Sequence, residues 1–208
     1  KQQGGFSEFG SKAFELLSFM EENGLLLERD GTMLEHNYTN SAASAVRIGK
    51  LDWATGFIQK YKPYLPENLR ENAYCYNMAV VNFISGINSN EKKTPMLENA
   101  MEYLSSVKTE DFYHTTRINN LLLLIYFELN IFETAYSLID TYRHFLHNNS
   151  LIPASLQKRY LNFLNYINRL INIKSGSRKT SLERLKLDVL NNETEYKKWL
   201  ISKIEELE

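Results

Sequence analysis

This sequence is poor in the residues that build disulfide-rich and turn-rich folds. It contains one cysteine, four prolines and nine glycines in 208 residues. The single cysteine, Cys75, excludes an internal disulfide framework and a thiolate metal cluster within the chain. Its neighbours in AYCYNMAVV are apolar, which favours a buried, inert thiol over a reactive one. The scarcity of glycine and proline favours helices over a β fold.

The chain also lacks a basic excess and a long apolar run. Its formal net charge is −1 at pH 7, whereas a protein that binds nucleic acid normally carries a clear positive charge. The small basic group of Lys174, Arg178 and Lys179 is interpreted as part of a solvated linker. The longest apolar stretch, LLLLIYF at 121–127, is much shorter than the ~18 residues that suggest a transmembrane helix. We therefore expect no nucleic-acid partner and no membrane partner.

Catalytic and metal-binding motifs are equally scarce. The four histidines lie in separate contexts, and the sequence has no H-E-x-x-H pattern, no glycine-rich phosphate loop and no G-x-S-x-G elbow. His144 and His147 are one helical turn apart, but such a pair near a helix end is typical of a solvated terminus that interacts with the helix dipole. The sequence therefore predicts no enzymatic activity, no metal site and no cofactor.

Hydrophobic periodicity predicts helices throughout the chain. The first helix stops at the ENG sequence of 22–24, where Gly24 is typical of a helix C-cap. Three helix pairs follow, and Pro63 and Pro66 close the first of them. A long helix is then expected at about 154–173, and two shorter helical stretches follow a polar linker. The predicted fold class is all-α.

The three helix pairs share an internal spacing. Ala54, Ala100 and Ala135 each stand near the start of a second helix, with large apolar residues four and seven positions later. Gly49 and Asn130 occupy the same offset before Ala54 and Ala135. Close packing explains this pattern, because a small side chain lets two helix axes approach each other. A single hairpin cannot bury its apolar face, so we expect the pairs to stack.

This spacing resembles the tetratricopeptide repeat, a helix–turn–helix unit of roughly 34 residues. The usual early tryptophan and Leu-Gly pair are absent, so the repeats would be divergent. The stretches WATGFIQKYKPYLP, RENAYCYN and EYKKWLISKIEEL also resemble the C-terminal part of long helical-repeat proteins of Bacteroidetes-type bacteria, which brings no established activity. The resemblance implies a right-handed α-α superhelix, or solenoid, with a helical C-terminal cap. One helical-repeat domain over 1–208 would comprise a helix of a truncated preceding repeat (1–26), repeats at 36–66, 67–109 and 110–149, and C-terminal helices with the cap at 153–208.

The same resemblance implies a binding surface. In tetratricopeptide arrays the first helices of successive repeats line a concave groove that holds a peptide. Aromatic, amide and guanidinium side chains there suit a peptide backbone or a carboxylate. As an alternative, Tyr76 and Phe83 are core residues covered by the following helix. The family's offsets assign these candidate partner-binding residues: His36, Thr39, Arg47, Tyr76, Asn77, Phe83, Arg117, Asn120 and Glu128.

Taken together, these patterns indicate a non-enzymatic scaffold that binds a protein or peptide. Two alternatives stay open: a structural module that self-associates or covers another part of the same polypeptide, and a regulatory domain of a larger protein whose active part lies elsewhere. The chain begins with Lys and has no recognisable signal peptide, so we interpret it as a piece of a longer, cytoplasmic protein.

Overall fold

The computed structural model describes residues 3–89, 91–108, 111–177 and 181–208, with side chains described from residue 10 onward. Within these ranges every regular element is helical, which confirms the all-α prediction. The α-helices are α1 (Gln3–Glu22), α2 (Glu35–Arg47), α3 (Leu51–Tyr61), α4 (Glu67–Ile87), α5 (Lys93–Ser105), α6 (Phe112–Leu129), α7 (Phe132–Asn148), α8 (Ala154–Lys174), α9 (Leu182–Asn191) and α10 (Lys197–Leu207). None of these described helices has the length and apolar composition needed to cross a bilayer.

The helices pack into two compact units, Lys1–Lys108 and Thr109–Glu208. In the first unit α2 packs against α1 and α3, and α4 packs against α2, α3 and α5. In the second unit α7 packs against α6 and α8, while α8, α9 and α10 pack against one another. The boundary between the units lies one residue before the one between the second and third predicted repeats. The organisation of 1–208 as one superhelical domain stays a prediction.

The three predicted helix pairs are present as α2–α3, α4–α5 and α6–α7. Ala54, Ala100 and Ala135 are all 0% exposed. Their small side chains allow neighbouring helices to approach closely, as the sequence spacing predicts. The large residues that follow each alanine are also buried: Ile58, Tyr61, Leu104, Val107, Ile139 and Tyr142.

The first and third pairs turn through the same backbone motif. Gly49 and Asn130 adopt left-handed φ values of 78° and 60°. The N–H of the next residue donates to the carbonyl of Ala45 in one turn and of Tyr126 in the other, at 2.9 Å in both. Glycine adopts this conformation without steric cost, and asparagine tolerates it better than most residues. The sequence equivalence of the two turns therefore extends to their backbone conformation.

The second pair is longer than the first between equivalent positions, since Ala79 precedes Ala100 by 21 positions whereas Ala42 precedes Ala54 by 12. Repeat architectures normally place such an insertion in a loop. The sequence alignment of the pairs confines the insertion to the loop GINSNEKKTP, but α4 continues to Ile87 and α5 begins at Lys93. Much of the insertion therefore lengthens the helices, and Asn90 in the remaining turn lies outside the described residues. A Cβ at Gly86 would lie 3.2 Å from the Leu97 side chain. The absence of a side chain at Gly86 is thus what allows α4 and α5 to approach this closely.

Lys174 belongs to α8 and not to a solvated linker. Its Nζ donates to the backbone carbonyl of Phe127 at 3.0 Å and lies 4.3 Å from the centroid of the Phe127 ring. The linker interpretation is therefore wrong for Lys174, because its charge is used to join α8 to the end of α6. Arg178 and Lys179 lie outside the described residues.

Candidate functional site

Five of the predicted partner-binding residues are exposed or half-buried, and one of them, Thr39, is described below with its partner Asn77. His36 and Arg47 are exposed on α2. Tyr76 on α4 and Arg117 on α6 are half-buried. A partner could therefore contact each of these four side chains on its own helix.

The other predicted residues of the first unit are used inside the protein. Phe83 is 3% exposed, which agrees with the core alternative for this side chain. Asn77 is 4% exposed, and its Nδ2 donates to Thr39 Oγ1 at 3.1 Å and to the Ala73 carbonyl at 2.8 Å. Asn77 therefore brings α4 and α2 together, and Thr39 is its half-buried partner. The Asn77 amide N–H groups are committed to this internal contact.

In the second unit Glu128 is buried beneath α10. The residue is 5% exposed, and its Oε1 accepts from Lys203 Nζ at 2.9 Å and from Trp199 Nε1 at 3.2 Å. The Trp199 ring also meets the Phe127 ring edge to face, with centroids 5.1 Å apart. These contacts make Glu128 an anchor for α10 and leave its carboxylate no solvent-facing side.

The ionic contacts of Lys203 keep its ammonium group charged. Desolvation alone lowers the pKa of this lysine, but hydrogen bonds to the Glu206 and Glu128 carboxylates outweigh it, so the pKa lies above the ordinary lysine value. The Lys203 side chain is 11% exposed and that of Glu128 is 1% exposed. The two charges thus neutralise each other largely out of water.

Asn120 is the remaining predicted residue on α6. It is 3% exposed, and its Oδ1 has no hydrogen-bond partner in the part of the chain that the structure describes. A buried amide oxygen without a donor destabilises the fold by desolvation. With 3% exposure, Asn120 offers very little surface to a partner.

The histidine pair stands where the sequence predicts. His144 and His147 are exposed near the C-terminal end of α7. Among residues 3–89, 91–108, 111–177 and 181–208, no three His, Cys, Asp or Glu side chains are grouped closely enough to hold a metal ion.

Asp111 is a helix cap, since its Oδ1 accepts from the backbone N–H of His114 at 2.8 Å at the start of α6.

Cys75 lines a cavity between α4 and α5 but is poorly suited to react. The cavity has a volume of ≈ 400 Å³, and Asn82 and Tyr103 are among its other lining residues. Cys75 is 8% exposed, and burial raises the pKa of its thiol. A thiol with a raised pKa is less ionised at neutral pH, so it is a weak nucleophile.

α1 has large apolar side chains on two sides, which the sequence-based assignment of a binding face missed. The inner side packs on the core of the first unit, where the rings of Phe14 and Trp53 meet edge to face with centroids 5.0 Å apart. On the outer side Leu16 and Phe19 are 60% and 56% exposed. A surface helix normally carries one apolar stripe that faces the core. The outer face of α1, defined by Leu16 and Phe19, is thus a second stripe.

A groove of ≈ 300 Å³ opens between α1 and α2 next to this outer face. Apolar side chains form the α1 side and, with the exception of Glu28, the loop that follows α1, whereas α2 contributes hydroxyl and amide groups. The volume is at the lower end of the range found for ligand clefts, so the groove suits one or two inserted side chains. The lining residues are Ala13, Leu16, Leu17, Met20, Leu25, Leu26, Leu27, Glu28, Asn37, Asn40, Ser41 and Ser44.

The charged residues around the outer face of α1 are mainly acidic. Glu15 and Glu22 are exposed on α1, and the exposed Glu28 lines the groove. Lys12 is exposed one turn before Glu15 and Leu16. Such a rim favours an apolar partner surface that also carries basic residues.

Comparisons with known proteins add no relative from which a function could be transferred. No protein-family model, curated protein or solved structure matches this chain. The tetratricopeptide resemblance stays a prediction, and the candidate site is defined by the geometry of the chain itself.

A sequence signal for the outer face of α1 does exist. Residues 13–20 read AFELLSFM, in which six of eight positions are apolar. One face of a helix accounts for only three or four apolar positions in two turns. The excess over that number is the feature that separates α1 from an ordinary surface helix.

Proposed function

We propose that this chain is a non-enzymatic protein-interaction module that binds its partner through the outer face of α1 and the adjoining groove. The exposure of Leu16 and Phe19 beside the apolar wall of the groove is the observation that carries this proposal. Residues three apart on a helix are neighbours, so the two side chains form one continuous patch. Contiguous apolar patches of this kind mark interaction sites on folded proteins.

A partner with an amphipathic helix fits this surface best. Its apolar side chains would enter the groove, and its polar groups would meet the amides and hydroxyls of Asn40, Ser41 and Ser44 on α2. Basic residues flanking the apolar anchors would face Glu15 and Glu22. Anchoring by a few large apolar residues with a charged rim is how helix-in-groove complexes obtain affinity and orientation.

The tetratricopeptide-like array is part of the same proposal. The shared turn conformation of Gly49 and Asn130, together with the three buried alanines, supports repeated hairpins. We infer that stacking of these hairpins gives a superhelical scaffold. Its concave face provides a second partner surface through the accessible His36 and Arg47.

An affinity capture with three baits tests the proposal. The baits are the unchanged chain, the variant Leu16→Glu/Phe19→Glu, and the variant Arg47→Ala/Arg117→Glu, each incubated with lysate of the source organism. We expect the α1 variant to lose at least about 90% of a specifically captured protein, because two adjacent apolar anchors are removed. The second variant changes the other proposed partner surface, so a comparison of the two variants shows which surface binds the captured protein.

The four substituted positions are exposed or half-buried, so all baits should keep the same helical circular dichroism spectrum. Equal capture by the unchanged chain and the α1 variant would contradict the role of α1. Loss of capture only with Arg47→Ala/Arg117→Glu would transfer the binding site to the concave face. Empty captures with all three baits would contradict the binding of a foreign protein.

A further inference from the structure

We propose that the groove between α1 and α2 binds one basic amphipathic helix of another protein, which completes a helical hairpin with α1. This inference rests on the proposed function, since it states how the partner binds to that same surface. The short turn between α2 and α3 makes these two helices antiparallel neighbours. The bound helix would run antiparallel to α1 in the same way.

The α1 wall of the groove has the spacing of a second helix in a pair. Ala13 is followed by Leu17 and Met20 four and seven positions later, as Ala54 is followed by large apolar residues at these offsets. Ala54 is 0% exposed, and α3 packs against both α2 and α4. Ala13 is instead exposed and borders the groove. A small residue that allows close approach of a first helix is therefore accessible on α1.

The α2 wall matches a face of α4 that is covered inside the first unit. Four residues of α2 line the groove: Asn37, Asn40, Ser41 and Ser44. The offset of 37 positions that separates Ala42 from Ala79 relates them to four residues of α4: Tyr74, Asn77, Met78 and Val81. Met78 and Val81 belong to the core that contains Ala54, and Tyr74 packs against this core. The groove thus lies where a preceding helix pair would pack.

Asn40 is the expected polar contact of the bound helix. Its counterpart Asn77 donates from Nδ2 to Thr39 Oγ1 on the preceding first helix, at 3.1 Å. Asn40 holds the same repeat position on α2 and is exposed. We expect its amide to donate to a hydroxyl or carbonyl oxygen of the bound helix.

The polarity of the α2 wall favours a partner that binds reversibly. Tyr74, Met78 and Val81 on α4 are large and mostly apolar, and they are covered permanently within the chain. Their counterparts on α2 carry amide or hydroxyl groups. Permanent interfaces are more apolar than reversible ones. The groove therefore suits a helix that is supplied by another protein and can dissociate.

The charges around the groove specify a basic helix. Glu15 and Glu22 stand four positions before and three positions after Phe19, so they are its neighbours on α1. Glu28 lies in the loop that borders the groove. Lys or Arg residues on both edges of the partner's apolar face would meet these carboxylates.

Two synthetic peptides test the expected chemistry by fluorescence anisotropy with the full chain. One is a helix of about 18 residues with Ala and Leu along one face and Lys on both edges, long enough to be helical in isolation. The other has Glu in place of every Lys. We expect the lysine peptide to bind at least about 10-fold more tightly, because the rim of the groove is acidic.

Substitutions in the two walls test the position of the bound helix. Ala13→Gln should weaken binding of the lysine peptide at least about 10-fold, since a long neutral side chain prevents close approach. Asn40→Ala should weaken it about 5-fold, the effect of one lost hydrogen bond. The matched controls are Ala154→Gln and Asn191→Ala at exposed positions of α8 and α9. All four variants should keep the circular dichroism spectrum of the unchanged chain.

Cysteine cross-linking tests the direction of the bound helix. In a Cys75→Ala background, Lys12→Cys and Asn23→Cys place thiols at exposed positions next to Leu16 and Phe19. The two positions are about 16 Å apart along α1 at 1.5 Å per residue. A lysine peptide with an N-terminal cysteine should form a disulfide with position 23, and one with a C-terminal cysteine should form it with position 12.

The outcomes separate this inference from the proposed function. Absence of binding by the lysine peptide, equal binding by both peptides, or full binding by Ala13→Gln overturns the inference, and the reversed cross-links overturn the antiparallel direction. If capture of a protein is lost with Leu16→Glu/Phe19→Glu but unchanged with Ala13→Gln and Asn40→Ala, the outer face of α1 is still the binding surface and only the hairpin arrangement is wrong. Capture that is unchanged with Leu16→Glu/Phe19→Glu contradicts the proposed function itself.

Discussion

Arg47 on α2 and Glu128 on α6 occupy the same offset in the first and third helix pairs, but their surroundings are opposite. Arg47 is exposed, whereas Glu128 is 5% exposed and bound to two side chains of α10. The turns that follow the two helices share one conformation, at Gly49 and at Asn130. The repeat therefore determines backbone and core positions, while a later helix decides which equivalent positions stay accessible.

The largest expected effect on stability is the difference between substitution of Glu128 and substitution of Arg47. We expect Glu128→Ala to lower the unfolding free energy of the second unit by about 3 kcal/mol, because Lys203 would lose a buried charge partner. Lys203 keeps its contact with Glu206, so we expect a loss of stability at the lower end of the range found when one partner of a buried ion pair is removed. Arg47→Ala should change stability by less than about 0.5 kcal/mol, as exposed substitutions usually do.

Urea unfolding measures this contrast. The chain has two tryptophans, and Trp53→Phe leaves Trp199 as the only indole reporter, placed directly beside Glu128. Arg47→Ala is followed by circular dichroism in the unchanged background. Equal effects of the two substitutions would show that α10 does not bury Glu128 in solution.

Substitution of Gly49 tests the equivalence of the two turns. We expect Gly49→Val to lower the free energy of unfolding by about 1–2 kcal/mol, because a β-branched residue is strained in the left-handed region. Apart from its chain neighbours, no atom of the residues that the structure describes lies within 4 Å of a Cβ built at this position. The cost is therefore conformational and does not come from steric crowding. Gly49→Asn should cost only a few tenths of a kcal/mol, since Asn130 already holds the same conformation.

Thermal or urea unfolding of the two Gly49 variants gives the measurement. If asparagine proved as costly as valine at Gly49, the two turns would not be energetically equivalent. If both were neutral, the left-handed conformation at Gly49 would be absent in solution.

The sequence predicted the parts of this fold that are controlled by local signals. Gly24 ends α1 in a left-handed conformation with φ of 68°, as expected for a C-cap. The spacing around Ala54 and Ala135 located both the turns and the buried faces. Helix starts without a side-chain cap have a weaker local signal: α2 begins at Glu35, after a Leu34 that makes no side-chain cap bond.

Long-range contacts explain why some residues that the sequence predicts to be accessible are buried in the structure. The offsets that assigned Glu128 to an accessible face describe one hairpin and contain no information about α10, which is far away in sequence. Trp199 and Lys203 cover Glu128 from 71 residues or more along the chain. The outer face of α1 was missed for a different reason. Its signal is an excess of apolar residues at 13–20, and leucine and phenylalanine at helical spacing are also typical of ordinary core positions.

We expect a smaller difference in stability when the hydroxyl group is removed from either of two buried tyrosines, one in each unit. Tyr38 OH donates to the Ile58 carbonyl at 2.7 Å, and Tyr142 OH donates to the Thr116 carbonyl at 3.4 Å. We expect Tyr38→Phe to cost about 1 kcal/mol and Tyr142→Phe clearly less, because a longer hydrogen bond is weaker. A larger loss for Tyr142→Phe would contradict this order.

The same tyrosines predict an alkaline loss of stability. Desolvation raises the pKa of both phenols in the folded protein, so the folded state holds their protons more tightly than the unfolded state. The stabilisation is complete below the unfolded value of about 10 and is lost as pH rises above it. Urea unfolding at increasing pH should show this decline, and Tyr142→Phe should make it shallower in the second unit. An unchanged slope would mean that Tyr142 ionises without unfolding.

The most direct measurement is the rate at which a thiol reagent labels the outer face of α1 as the protein captured by the unchanged chain is added back at rising concentration. The reporter is Glu15→Cys in a Cys75→Ala background, and Glu183→Cys on α9 is the matched exposed control. We predict that labelling at position 15 slows as the partner covers α1, while labelling at position 183 stays constant. Rates that are independent of the partner concentration at both positions would contradict the account.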